Sequence, residues 1–453
     1  KSTVSKDAVF NTESGLKLYS NSFYTNLPTS NDILRGDNMA DYVARKDVPE
    51  FFRAGAFGPR QSSGWTWTAL RNINYFLENN TSSAVSPEVR AHYAAIARFF
   101  RAYFYFEKVK RFGDVPWINK TIGTEDDILY GGRTARKEVM DSVLNDLNFA
   151  IANLTTSSDP TRTRITTSVA QAFKSRICLF EGTYRKYHEE IGLQSTANDW
   201  LTEAANAAKA VIDTKMYALV SSSTESSYKN LFVQTGVNSE TILNIAYSTE
   251  LGVYHDANWY YTSASYGDRL SLTRKFINTY LNIDGTPFTD LVGHKTMTFQ
   301  QETKDRDTRL KQTIRTAGYA RLNAGQPIET APSFSHTYTG YQPIKWVEAD
   351  NALDGGLRNA TNLPIMRYAE VLLNYAEAKA ELATMTDEDW ASTIGSLRQR
   401  AGITQGVSSK PTVVDNYLRT AYFPGINDPV VLETRRERGV ELALEGLRFY
   451  DII

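Results

Sequence analysis

Residues 367–378 read Arg-Tyr-Ala-Glu-Val-Leu-Leu-Asn-Tyr-Ala-Glu-Ala. The larger apolar side chains in this stretch, at Tyr368, Val371, Leu372 and Tyr375, recur every three or four positions, which places them on one face of a helix. A helix with one apolar face buries that face against another element of the fold. The stretch therefore predicts an amphipathic helix that packs against further helices.

The same spacing recurs along most of the chain. Gly113 and Pro116 mark the end of the strongest of these stretches, as expected where a helix stops. Successive amphipathic helices with alanine at close-packing positions indicate degenerate tetratricopeptide-like hairpins, in which each pair buries the apolar stripe of its neighbour. Helical periodicity is present over the first 35 residues, as a leading helix, and at 67–77, 87–112, 140–154, 169–180, 200–214, 390–401 and 431–449.

The central part of the chain differs in composition. Residues 216–363 are rich in Ser, Thr, Tyr, Asn and Gly, and their apolar runs are short, which predicts loops and short strands. We therefore expect a mainly α protein with helical hairpins over about 67–215 and 364–453 and a loop-rich insertion over about 216–363. Because the helical repeats are irregular, one composite domain over 1–453 is predicted rather than two separable ones.

Composition and charge exclude several classes of protein. Fifty Lys and Arg residues face 51 Asp and Glu residues, which leaves no net field to attract nucleic-acid phosphates. The single cysteine, Cys178, excludes an intramolecular disulfide, and its apolar surroundings favour a buried thiol. No apolar stretch approaches the roughly 20 residues of a membrane-spanning helix. Nucleic acid is therefore not an expected partner, and the chain is not expected to span a bilayer.

Motifs of catalysis are absent from the sequence. None of the five histidines has the His-Glu-x-x-His spacing of a helical zinc site, and there is no Gly-x-Ser-x-Gly elbow, phosphate loop or dinucleotide fingerprint. His92, between Ala91 and Tyr93, is interpreted as a structural imidazole. The sequence therefore predicts a protein that is not an enzyme, uses no cofactor and has no metal ligands among its candidate site residues. An ion that orders one of the Asp-rich loops stays an open alternative. A hydrolase remains an alternative, because the paired carboxylates of a glycosidase leave no local motif.

A run of charges near the end of the chain has two interpretations. Residues 433–438 read Glu-Thr-Arg-Arg-Glu-Arg, a pattern typical of a solvated helix face that gains ion pairs between successive turns. The apolar residues Leu442, Ala443 and Leu444 follow closely, and they allow a partly buried ion-pair network instead. Both interpretations give the run an architectural role.

Aromatic residues in polar segments are the candidates for ligand binding, because core packing gives them less reason to be there. Tyr and Trp present an apolar ring face with a polar edge, which suits the C–H face of a sugar. A structural role is the alternative for each residue, and Trp67, in step with Leu70 and Ile73, is assigned to the core. The candidate rings are Trp65, Trp259, Tyr260, Tyr261 and Tyr266, and the candidate hydrogen-bonding side chains are Asp37, Asn38, Asp41 and Arg60.

Several segments, read in order, resemble those of the SusD/RagB family. Matches of this kind in the right order along nearly the whole chain are more specific than any one of them alone. The segments that carry the resemblance are 67–77, 111–116, 281–285, 306–310, 367–378, 398–402 and 435–446.

The resemblance implies a tetratricopeptide-like scaffold, an N-terminal lipid anchor and a lid-like association with a SusC-like TonB-dependent transporter in the outer membrane of Bacteroidetes. The lipid-bearing cysteine of the family would lie shortly upstream of a segment like 7–10, so that Lys1 falls downstream of the anchor. Family members usually continue past a segment like 446–451, which suggests further sequence beyond Ile453. The shared motifs belong to the scaffold and assign no binding residue.

These features together predict a cell-surface lipoprotein that binds a nutrient, a glycan in the first instance, and passes it to the transporter without chemistry. The resemblance also implies that ligand surfaces are shallow and aromatic and are built by loops before the early helices and in the central insertion. Two alternatives use the same scaffold. One is the binding of oligopeptides, and the other is a pure assembly role in which the loop aromatics contact the transporter.

Overall fold

The computed structural model describes residues 6–453, and the chain divides into two compact units. The first unit contains residues 6–28 and 59–211, and the second contains residues 29–58 and 212–453. Both units are built largely from helices, so the predicted mainly α fold is confirmed. The organisation as one composite domain stays a prediction.

The first unit is a set of packed helices. Its longest helix, Pro87–Phe112, packs against Thr68–Asn79 and Arg136–Asn153. The remaining α-helices are Lys6–Phe10, Glu13–Asn21, Thr167–Tyr187 and Ala197–Asp213, and single 3₁₀ turns lie at Ser22–Asn26, Asp127–Leu129, Glu189–Ile191 and Gln194–Thr196.

The ends and the buried face of the Pro87–Phe112 helix follow from its sequence. The Ser86 hydroxyl accepts a hydrogen bond from the backbone N–H of Val89, and a proline occupies the first turn. Gly113 ends the helix with a φ of 67°, a conformation that favours glycine. Inside, the Phe99 ring meets the Phe173 ring edge to face at 5.4 Å, which fixes this helix against Thr167–Tyr187.

The expected leading helix over the first 35 residues is wrong in its length. Within the described residues the segment forms several short helices, because residues that cap the N-terminus of a helix occur at two places in it. Thr12 caps the helix Glu13–Asn21 by accepting from the Gly15 N–H, and Thr29 makes a capping box with Asp32 in the second unit. The predicted part over residues 1–5 lies outside the described residues.

The second unit combines short elements with two longer helices, Tyr368–Glu381 and Pro429–Glu441. Short helices are as frequent as strands in the predicted insertion, so its description as loops and strands is incomplete. The other α-helices are Ser30–Leu34, Ser227–Asn230, Ala257–Thr262, Arg274–Ile277, Phe299–Glu302, Arg309–Thr313, Asp387–Trp390, Ser396–Arg400 and Arg448–Asp451. Single 3₁₀ turns lie at Gly36–Met39, Glu50–Phe52, Phe288–Asp290, His294–Thr296 and Asn351–Leu353, and π-helical turns at Ala391–Gly395 and Leu418–Tyr422.

The strands of the second unit form small antiparallel pairs. The longest pair joins Thr241–Ile245, inside the predicted insertion, to Leu363–Arg367 at its C-terminal end. The other pairs join Val43–Ala44 to Ser271–Leu272 and Ala320–Asn323 to Gln326–Glu329. Over residues 6–453, no helix combines the length and the apolar character needed to cross a bilayer.

The helix Tyr368–Glu381 is buried on more than its apolar face. On the polar face, the Asn374 side-chain oxygen accepts a hydrogen bond from Arg438 at 2.9 Å. Glu381 pairs with Arg435 at 2.9 Å. Both arginines come from the helix Pro429–Glu441, so the amphipathic pattern predicts the helix but not the burial of its polar side.

The charge run of residues 433–438 belongs to a buried ion-pair network, which settles the two interpretations in favour of burial. The network centres on Glu441, which is fully buried. Its carboxylate pairs with Arg309 at 2.9 Å, Arg367 at 2.6 Å and Arg400 at 2.5 Å. Burial alone would raise the pKa of Glu441, but the charges of these three arginines hold the pKa well below its ordinary value.

The substitution Glu441→Gln should destabilise the protein by about 3–5 kcal/mol, because it removes a buried negative charge that three buried guanidinium groups share. Glu225→Gln is the matched control, since Glu225 pairs with Lys311 at the exposed surface and should contribute less than about 1 kcal/mol. Denaturant unfolding of the two variants measures the difference. Equal losses for both variants would contradict a structural role for the network.

Candidate functional site

Two aromatic rings of the second unit stack on each other. Trp259 lies in the short helix Ala257–Thr262, and its ring is 3.6 Å from the Tyr266 ring with an interplanar angle of 5°. Tyr266 is 41% exposed, whereas Trp259 is half-buried. The sequence places Trp259 in a loop, and this is wrong, because the segment closes a turn and a half of helix. The pair presents a flat aromatic surface.

Hydrogen bonds to Asp256 hold the ring pair in place. The Tyr266 hydroxyl donates to Asp256 at 2.8 Å, and Arg35 donates two hydrogen bonds to the same carboxylate, the shorter at 2.6 Å. The bond to Asp256 raises the pKa of Tyr266. Burial opposes the charge on Asp256, but the bonds from Arg35 and Tyr266 outweigh it and lower the pKa of Asp256. The tyrosine therefore stays protonated and the aspartate ionised near neutral pH.

Tyr260 and Tyr261 have mainly structural positions. Both are buried, although the sequence treats them as loop residues. The Tyr260 hydroxyl donates to the Asn38 side-chain oxygen at 2.7 Å, and the Arg35 guanidinium lies 4.2 Å from the centre of the Tyr260 ring. The Tyr261 hydroxyl donates to the Leu34 carbonyl at 2.8 Å. These contacts fix the short helix and leave little of either ring face open to a ligand.

The two candidate aspartates have internal partners. Asp37 is buried and accepts hydrogen bonds from the Tyr42 hydroxyl and from the backbone N–H groups of Gly446 and Arg448. Asp41 is more exposed and pairs with the Arg448 side chain at 2.8 Å. Asp37 therefore connects two distant parts of the second unit, which explains its presence without a ligand.

Trp65 and Arg60 belong to the first unit. Trp65 is 43% exposed, and its ring meets the Phe112 ring at 4.9 Å and the Trp67 ring at 5.1 Å, both edge to face. The Arg133 guanidinium lies 4.9 Å from the centre of the Trp65 ring. Arg60 is exposed in a turn. Trp65 therefore caps a small aromatic cluster and keeps part of its surface open.

Sequence reasoning missed Arg35 and Asp256, the residues that position the ring pair. They are separated by 221 positions, and neither belongs to a local motif. Asp256 precedes Trp259 by three residues, so a carboxylate beside the aromatic run is the one signal that could have pointed to it.

His92 and Cys178 both have structural positions. The ring of His92 is 3.2 Å from both the backbone nitrogen and the hydroxyl of Thr155. Cys178 is buried, as expected, and burial raises its pKa. In the part of the chain from 6 to 453, no group of three or more His, Cys, Asp or Glu side chains is placed to hold a metal ion.

Comparisons with known proteins agree with this architecture. A model described as "SusD family" matches residues 239–453, and one described as "Starch-binding associating with outer membrane" matches residues 64–179. A SusD-like protein of Formosa agariphila, P2, is 26% identical over 363 residues, which cover 79% of this chain and 64% of the relative. A second from the same organism, P38, is 25% identical over 81% of this chain and 67% of its own length.

Solved structures show the same fold. A SusD-like protein from Bacteroides fragilis superposes with a TM-score of 0.74 at 23% identity, covering 98% of this chain and 86% of its own. A SusD-like carbohydrate-binding protein from the same species gives a TM-score of 0.72 at 21% identity with the same coverage.

The packed helices and the short elements of the insertion define a mainly helical scaffold. The chain belongs to the SusD/RagB family, as its sequence motifs indicate. Its match spans 64% of the length of the first curated relative, P2.

Removal of the Tyr266 ring should expose one face of Trp259 to solvent. We expect Tyr266→Ala to increase acrylamide quenching of the Trp259 emission, measured as the difference between each protein and its Trp259→Phe counterpart. Tyr130→Ala is the control, because Tyr130 is 82% exposed and lies in the other unit. Unchanged quenching in Tyr266→Ala would contradict the stacked geometry.

Proposed function

We propose that this protein binds a glycan without catalysis and that the Trp259–Tyr266 pair is part of its binding surface. The observation that carries the proposal is a stacked ring pair, with Tyr266 exposed and Trp259 half-buried, that Arg35 and Asp256 hold in place. An aromatic face is suited to the C–H face of a sugar, while nearby polar groups orient its hydroxyls. The starch-binding description of one matched family model supports the choice of ligand.

Trp65 and the polar candidates keep a place in the proposal. Trp65 has an open surface in the first unit, and Arg60 is exposed close to it in sequence. In the second unit, the side chains of Asn38 and Asp41 are partly accessible to a ligand. The other three candidates are buried and would contribute by positioning their neighbours, and they are Asp37, Tyr260 and Tyr261. We assign Trp65 to a second contact with the same class of ligand.

A moderate affinity fits this kind of surface. A few ring contacts and hydrogen bonds can supply about −8 kcal/mol, which corresponds to a micromolar dissociation constant. Such binding captures a ligand and still allows its release to a transporter.

For location and partner, we propose a lipoprotein at the outer-membrane surface that works with a SusC-like TonB-dependent transporter. The outer-membrane association in the description of one matched family model supports this role. Affinity purification of the native protein from outer membranes, followed by mass spectrometry, should recover a TonB-dependent barrel in a fixed ratio. A protein recovered without any barrel would contradict the partnership.

Calorimetric titration with a panel of soluble polysaccharides, their oligomers and a mixed peptide digest tests the ligand class. Saturable heat with a glycan is the expected result. Heat with peptides alone would favour an oligopeptide-binding role, and no heat with either would favour pure assembly with the transporter. Release of reducing ends during the incubation would instead reveal a hydrolase.

The ring variants should lose affinity without losing stability. We expect Trp259→Ala and Trp65→Ala each to weaken glycan binding about five- to tenfold, since a lost ring contact is worth about 1 kcal/mol. Tyr266→Phe should bind better than Tyr266→Ala, because it keeps the ring and loses only the bond to Asp256. Titration and thermal melting of each variant, with Tyr130→Ala as the control, measure both properties. Unchanged binding in both tryptophan variants, at unchanged melting temperature, would reject these residues as the site.

A further inference from the structure

A small pocket of the second unit lies beside the helix that carries Trp259. Its volume is about 200 Å³, below the roughly 300–1,000 Å³ of pockets that enclose a whole drug-sized ligand. It is therefore suited to one functional group of a larger ligand. The lining residues used in the argument are Thr262, Arg315, Arg321, Thr330, His336 and Asp354.

The pocket carries an excess of positive charge. Arg315 and Arg321 line it and are only 9% and 6% exposed, and Lys229, which is not part of the lining, is half-buried near them. The Lys229 ammonium and the Arg315 guanidinium lie 4.9 Å and 5.3 Å from the centre of the Tyr319 ring. Within residues 6–453, Asp354 is the one carboxylate that forms an ion pair with any of the three cations, and its partner is Arg321. Three cations therefore share one carboxylate.

The electrostatics of the neighbouring groups agree with this excess. Burial, together with the charges of Arg321 and Arg315, lowers the pKa of Lys229 to about 8. Burial and the charges of Arg315 and Arg269 also lower the pKa of His336 at the pocket wall. Burial is the larger cause of both pKa shifts, and the neighbouring positive charges act in the same direction.

Hydrogen-bonding groups around the pocket lack partners. The Nε atoms of Arg315 and Arg321, the Tyr319 hydroxyl and the Thr330 hydroxyl are buried, and none has a hydrogen-bond partner among the described residues. Buried polar groups in native proteins are rarely left unsatisfied, and several together indicate that another molecule supplies the partners. An anion would accept hydrogen bonds from these groups, and it would also compensate the surplus positive charge.

We infer that this pocket is an anion subsite, which takes the carboxylate of a uronic-acid residue or the sulfate ester of a sulfated residue in a bound glycan. The inference rests on the proposed function. Thr262 lies three residues after Trp259 in the same helix, about 4.5 Å further along its axis, so a sugar on the ring pair would have its neighbour near the pocket. The planar fork of arginine matches both carboxylate and sulfate oxygens.

Matched oligosaccharide pairs test the inference by calorimetry. One pair is a neutral galactan and its sulfated form, and the other is a neutral xylan and its glucuronate-bearing form, each at equal chain length. We expect at least one charged member to bind about tenfold more tightly than its neutral counterpart. The pair that shows the difference identifies the anion as sulfate or carboxylate.

Charge-removing variants then locate the effect. Lys229→Met and Arg315→Gln should each reduce the affinity for the charged member about tenfold and leave the neutral member within twofold of the wild type. Lys304→Met is the control, because Lys304 is highly exposed in the same unit and should change neither affinity. Lys229 is only half-buried, so Lys229→Met decides the test if Arg315→Gln fails to fold.

The outcomes separate the two proposals. Equal affinity for charged and neutral members, or a charge preference that both variants leave intact, would overturn the anion subsite and leave glycan binding in place. An absence of heat with every glycan would overturn the proposed function and the subsite with it. A loss in Lys304→Met as large as in Lys229→Met would assign the preference to general surface charge and overturn the subsite alone.

Discussion

The second unit depends on a buried carboxylate that three arginines share. Arg309 comes from a short helix of the insertion, Arg367 from the end of a strand, and Arg400 from a helix near the C-terminal end, and all three pair with Glu441. Removing these charges from water is costly, and the attraction between them repays that cost only in good geometry. The network therefore fixes where these elements meet, because any other arrangement would leave a charge buried alone. Glu240 extends it by pairing with Arg367 and Arg400.

A second hydrogen-bond network holds the helix of the proposed ligand surface against other segments of the second unit. The Asn258 side chain, next to Trp259 in sequence, accepts hydrogen bonds from the Glu348 N–H and the Asn359 amide and donates to Asp354. The helix that carries Trp259 is thus positioned before any ligand arrives. A surface ordered in advance spares the ligand the entropy of ordering it, which compensates for the small area that a shallow site can bury.

The sequence predicts features that depend on neighbouring residues better than features that depend on residues far apart in the chain. Periodicity alone indicates the long helices, such as Pro87–Phe112, because a helix is a local pattern. The burial of Glu441 and the pairing of Arg35 with Asp256 depend on residues far apart in the chain, which no local spacing reports. Tyr260 and Tyr261 show the same limit, since a polar composition suggested a loop while buried hydrogen bonds close a helix there. The family resemblance supplied the long-range arrangement. The composition of the polar segments pointed to Trp259 and Tyr266, whereas only the structure identifies Arg35 and Asp256, which hold them.

The ring pair and the proposed anion subsite would contribute to recognition in different ways. A ring face accepts almost any sugar with an apolar face, so the pair provides affinity with little selectivity. Buried cations discriminate more strongly, because an anionic ligand compensates their charge and an uncharged ligand does not. Specificity is the difference in binding free energy between these two ligands. A surface with both elements can therefore bind one class of polysaccharide preferentially while its affinity stays low enough for transfer. In this arrangement the choice of ligand lies with the cations at the pocket rather than with the aromatic residues.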